Sequence, residues 1–84
     1  MPDIIIYTTD YCPYCISAKK LLDRKGQKYI EINLTSDPSK REEMLLKSKG
    51  ARTVPQIFID DFHVGGFDDM AELDRLGKLD DLFT

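Results

Sequence analysis

Residues 11–16 read YCPYCI and hold both cysteines of the chain, Cys12 and Cys15. Two thiols three positions apart can be a structural crosslink, half of a metal site or a redox centre. Zinc takes about four ligands. Cys12, Cys15 and the single histidine, His63, supply three, so a Cys/His site would need a carboxylate or a second subunit. A permanent crosslink also fits poorly, because small disulfide-stapled domains are secreted and usually carry more cysteines. The start, MPDIIIYTT, has no basic leader and no apolar run long enough for a signal peptide or membrane span, so a cytoplasmic location is expected. In that reducing setting, reactive or metal-binding thiols are favoured over a staple.

The elements around the cysteines decide what they can do. Ile4, Ile5, Ile6 and Tyr7 form a nearly continuous apolar run, the pattern of a strand buried on both faces. Thr8 to Tyr11 make a polar loop. From Pro13 the period becomes helical, with Ala18, Leu21 and Leu22 on one face, until Gly26 ends the run. Lys19, Lys20, Arg24 and Lys25 read as its solvated side. Proline suits the first helical position, where its missing N–H would be unpaired anyway, so Cys12 becomes the N-cap. Free amides of Tyr14 and Cys15 and the positive end of the helix dipole then favour a thiolate at Cys12, below the free thiol value of about 8.5. Cys12 is the expected nucleophile. Cys15, one turn further in, falls within the roughly 4.4–6.8 Å Cα separation that a disulfide requires and is placed to resolve.

The pattern continues along the chain. Lys28 to Asn33 reads as a second strand, and Asp37-Pro38 caps a second helix running to Gly50, with Arg41, Met44, Leu45 and Ser48 inward and Leu46 unplaced. Gln56 to Ile59 is a third strand, and Asp60-Asp61 turns into a short fourth strand ending at Val64. Gly65-Gly66 launches a third helix with Met70, Leu73 and Leu76 facing the core. His63 reads as a polar residue of an exposed strand, and Asp69 as a favourable charge at a helix start. The order β-α-β-α-β-β-α predicts an α/β fold: a four-stranded mixed sheet flanked by three helices, in one domain over residues 1–84. Cys12 then lies at the carboxyl edge of the first strand, where open α/β sheets place their sites.

Twelve Lys and Arg against fifteen Asp and Glu leave a formal charge of -3, without the basic excess that a phosphate backbone demands. Nucleic acid is therefore not expected as a partner, and without an apolar span neither is a membrane.

CPYC after a strand, TVPQIFID in mid-chain and GGFDD before the last helix, with the KREEM stretch, resemble a glutaredoxin of the small bacterial dithiol type over nearly the whole chain. Thioredoxins are less similar, since their motif resembles WCGPC and this chain has no Trp. The resemblance implies a thioredoxin-like fold, a cis bond before Pro55, and glutathione-dependent reduction of glutathione mixed disulfides and protein disulfides by Cys12 and Cys15. On its own Pro55 would read as trans, since only about 5–6% of X–Pro bonds are cis. It also implies a glutathione groove formed by Tyr14, Thr53, Val54, Pro55, Gly66, Phe67 and Asp68, with the Val54 backbone pairing with the cysteinyl part and the Phe67 N–H and Asp68 holding the γ-glutamyl end. Glutathione is then a co-substrate, and no resident metal or nucleotide is expected. The implied partners are glutathione, glutathionylated or disulfide-containing proteins and, through glutathione only, glutathione reductase; a monomer is expected. The competing reading is a metal- or iron–sulfur-cluster carrier built on the same cysteines.

One position departs from the family pattern. Many dithiol glutaredoxins carry a lysine three residues before the first cysteine, where this chain has Thr9 followed by Asp10. A cation there would favour the thiolate and hold the glycyl carboxylate of glutathione. Arg52, just before TVP, is the substitute this sequence offers.

Overall fold

The computed structural model describes residues 2–84. The apolar run forms β1 (Ile4–Thr8), and α1 (Pro13–Arg24) follows after the cysteine loop. Next come β2 (Ile30–Asn33), α2 (Lys40–Lys47), β3 (Gln56–Ile59), β4 (Phe62–Gly65), α3 (Phe67–Arg75) and a short α4 (Leu79–Leu82). The strands lie in the order β2-β1-β3-β4, with β2 parallel to β1 and the two remaining pairings antiparallel. The mixed four-stranded sheet is as expected.

Strand period explains the two packed layers. Ile4 and Ile6 point to one face with Ile57 and Ile59, where Ala18, Leu21 and Leu22 of α1 and Met70 of α3 cover them. Tyr7 points to the other face with Phe58, beneath Met44 of α2. Both central strands are buried on both sides, so β1 holds its carboxyl end at Thr8 between the layers, and the loop after it emerges with Asp10 and Tyr11 exposed.

Several boundaries differ from the sequence reading. A fourth helix exists because Leu79, fully buried, and Leu82 and Phe83 close the first cluster beyond Gly77. The second helix starts at Lys40 because the Asp37 carboxylate accepts from the Ser39 hydroxyl at 2.6 Å instead of capping a helix amide. It stops at Lys47 because Lys49 is left-handed, with φ 59°, and Gly50 N–H returns to Leu45 O. Met44 within it and Ser48 at its C-cap are buried, Arg41 is exposed, and Leu46 lies in solvent. Thr8 belongs to β1, not to the loop, β2 begins at Ile30, and β4 extends to Gly65. Leu76 was expected inward but caps α3 and is half exposed.

Candidate active site

Cys12 is the N-cap of α1, in extended backbone geometry, with Pro13 in the first turn. The Cys15 N–H donates to Cys12 Sγ at 3.0 Å, and the Cys15 and Ile16 amides also reach Cys12 O at 3.1 and 3.2 Å. Of the two amides expected at the sulfur, that of Cys15 makes the bond. The cysteines are joined as a disulfide with Cα atoms 5.2 Å apart. Cys15 lies on the buried face of α1 with 1% of its surface exposed, whereas Cys12 keeps 8%. A donor fixed on Cys12 Sγ favours the anion there once the bond is reduced.

A second loop meets the same sulfur. Thr53 and Val54 precede Pro55, and the Val54–Pro55 peptide is cis, as the family resemblance implied. Val54 O lies 3.7 Å from Cys12 Sγ. The chain therefore offers a carbonyl beside the reacting atom, at a bend two residues before β3 opens at Gln56.

The third contribution is the start of α3. Gly66 is the N-cap, and the Asp69 carboxylate accepts from Gly66 N–H at 3.0 Å, so Asp69 acts as a local cap. Gly65 has φ +111°, and a side chain there would run into Asp69, which accounts for this glycine without a ligand. Asp68 is exposed at the same helix end. Phe67 stacks on Tyr14 across the gap between α3 and α1.

Between these elements runs a groove of about 350 Å³. Tyr14, Thr53, Val54, Pro55, Gly66, Phe67 and Asp68 all line it. Sequence reasoning missed Ala51, Gln56, His63, Gly65 and Asp69 as further lining residues. His63 stacks on Phe58 and pairs with Gln56, so it is half buried rather than an exposed strand residue. Its signal in the sequence was faint: one polar residue in a short strand. Thr9 is half buried and Arg52 is exposed, and neither is among the lining residues. The Asp10 carboxylate accepts from Asn33 Nδ2 at 2.8 Å, and Arg52 O accepts from Arg41 Nη1 at 3.4 Å.

Two carboxylates brace the sheet near the site. The Thr8 hydroxyl donates to Glu31 at 2.6 Å and, with Lys19, holds its carboxyl below the ordinary value against the opposing cost of burial. The Tyr7 hydroxyl does the same for Glu43 at 2.6 Å, while burial and that carboxylate push the Tyr7 phenol well above its usual range. Among the described residues no cluster of three His, Cys, Asp or Glu side chains is arranged to hold a metal, and no helix is long and apolar enough to cross a membrane.

The glutaredoxin family model matches residues 4–64. A glutaredoxin of Pseudomonas aeruginosa is 52% identical over 84 residues, covering 100% of this chain and 99% of that protein. The solution structure of a glutaredoxin from Brucella melitensis is 51% identical, with a TM-score of 0.82 over 98% of this chain and 88% of its own. A buckwheat glutaredoxin–glutathione complex is 38% identical, with a TM-score of 0.85 over 96% of this chain and 76% of its own.

Proposed function

Because the chain belongs to the glutaredoxin family it is a thiol–disulfide oxidoreductase, and we propose that it draws its electrons from glutathione through the groove beside Cys12. One observation carries this reading: the seven residues expected to hold glutathione all line one groove, and Val54 O of that groove lies 3.7 Å from Cys12 Sγ. An extended tripeptide can pair with the Val54 backbone, while the first turn of α3 receives its α-carboxylate at the Phe67 N–H and Asp68 takes its α-ammonium. The buckwheat relative, solved with glutathione, supports the same ligand.

In the reduced protein the Cys12 thiolate attacks the glutathionyl sulfur of a mixed disulfide. The Cys12–glutathione bond forms as the substrate's S–S bond breaks, and the substrate leaves as a thiolate. A second glutathione thiolate then attacks the glutathionyl sulfur, releasing glutathione disulfide and Cys12. With a protein disulfide, Cys15 attacks Cys12 Sγ instead, freeing the reduced partner and leaving Cys12–Cys15 oxidised for two glutathione molecules to reduce. NADPH enters only through a separate glutathione reductase, which restores the glutathione. The protein partners are glutathionylated or disulfide-containing proteins, met in the cytoplasm by a monomer. Reduction of a small glutathione mixed disulfide, coupled to glutathione reductase, tests this: turnover is expected with glutathione and not with thioredoxin reductase. Turnover with thioredoxin reductase alone would overturn it.

A further inference from the structure

One wall of the groove is tied back to the far strand by a chain of side chains. Gln56, 4% exposed, opens β3. Its Nε2 donates to Thr53 O at 3.0 Å and reaches Thr53 Oγ1 at 3.3 Å, while its Oε1 meets His63 Nε2 at 2.7 Å. Polarity fixes these assignments. A turned amide would set Oε1 against the Thr53 carbonyl, acceptor against acceptor, so Oε1 must face the histidine and His63 Nε2 must carry the proton.

The imidazole is itself held in place. It stacks on Phe58, its cross-strand partner, with centroids 4.7 Å apart and 19° between the planes. Lys47 Nζ lies 4.7 Å from the centroid of the same Phe58 ring. Thr53, at the other end of the chain of bonds, directly precedes the Val54 carbonyl beside Cys12. A rotation at Thr53 would carry the Val54 peptide with it.

We propose that His63 is a positioning residue for the exchange reaction: through Gln56 it fixes Thr53, and so aims the Val54 backbone at the peptide part of the bound glutathione. This rests on the glutathione reading of the groove. It touches neither sulfur, so it should alter binding and leave the nucleophile alone.

The experiment compares His63→Phe, which keeps a ring against Phe58 but has no donor for Gln56, with His63→Gln, whose amide nitrogen can stand in for Nε2. For His63→Phe the KM for a small glutathione mixed disulfide should rise about three- to ten-fold, with kcat little changed. Alkylation of reduced Cys12 by iodoacetamide should proceed at the wild-type rate. His63→Gln should recover most of the KM, and Gln56→Leu should match His63→Phe, with the double variant adding little. Asp68→Ala, run in parallel, reports on the groove itself. If Asp68→Ala raises KM and His63→Phe does not, the groove stands and His63 has no positioning part. If neither moves KM, glutathione is bound elsewhere and both readings fall. A lowered thermal midpoint with equal losses in KM and alkylation, unrecovered in His63→Gln, would mark a merely structural role and overturn the proposal.

Discussion

Tyr14, in the first turn of α1, and Phe67, at the start of α3, stack with ring centroids 6.4 Å apart and planes 29° from parallel. Two helices that are distant in sequence thus close one side of the groove with a pair of aromatic faces. Tyr14 is 62% exposed, so the pair adds little to stability and its surface is free for a ligand. Tyr14→Ala should raise the KM for a glutathione mixed disulfide about two- to five-fold while moving the thermal midpoint little. Steady-state kinetics beside a melting curve would show it; an unchanged KM would take Tyr14 out of the binding wall.

The asymmetry of the cysteines predicts divided losses. Cys12→Ser should abolish all thiol exchange, because the sulfur that the Cys15 amide supports is gone. Cys15→Ser should keep deglutathionylation and lose most reduction of protein disulfides, since the backbone amide at residue 15 remains. A dead Cys15→Ser beside an active Cys12→Ser would reverse the roles.

Neighbouring aspartates should separate in the same way. Asp69 caps Gly66 N–H, so Asp69→Ala should cost about 1 kcal/mol of stability in a denaturant titration. Asp68→Ala should leave stability alone and raise the KM for glutathione. Equal melting losses in the two variants would contradict this division.

Acid stability follows from Glu31 and Glu43. Hydrogen bonds from Thr8 and Tyr7 lead in holding both carboxyls below their ordinary 4.5. A lowered folded-state pKa means that the unfolded chain takes up protons first on acidification. The stabilisation is therefore complete above pH 4.5 and is lost as the pH falls through the lowered values. Thr8→Val and Tyr7→Phe should each weaken the fold at neutral pH and flatten its loss in acid. Both carboxylates are partly exposed and screened, so each effect should be about 1 kcal/mol or less. Denaturant midpoints followed from about pH 6 to about pH 3 would test the sign.

Position 9 tests the missing cation. Thr9→Lys should increase the thiolate fraction of Cys12 and lower the KM for glutathione, through a charge that the chain otherwise lacks there. Arg52→Ala should raise that KM if Arg52 swings over the groove to meet the glycyl carboxylate. Thiolate absorbance and steady-state kinetics on the two variants would decide; no change for Thr9→Lys would mean that residue 9 faces neither sulfur nor ligand.

Where a feature depended on near neighbours in the chain, it was legible beforehand. The run Ile4–Tyr7, the N-cap Cys12 with Pro13 behind it, and the acidic opening of α3 each follow from residues within one turn of one another. The start of α2 was misread because Asp37 bonds to the Ser39 hydroxyl, a choice that residue types alone leave open. The helix at Leu79 is too short to show a period, and it forms because Leu79 has a core to enter. Gln56 and His63 were read as ordinary strand residues because their partnership depends on the register of β3 and β4, which shifts between Ile57 and Phe58. The cis geometry before Pro55 was reachable only through the family motif.

The near-complete burial of Cys15 sets the valency of the protein. A chain with two accessible thiols could hold two partners at once and crosslink them. Here Cys12, at the helix N-cap, keeps some exposed surface for a partner, while Cys15 is shut off on the buried face of α1. Each chain can therefore carry one adduct at a time, joined at the same atom whatever the partner, so trapped intermediates should be uniform one-to-one species and never bridged assemblies.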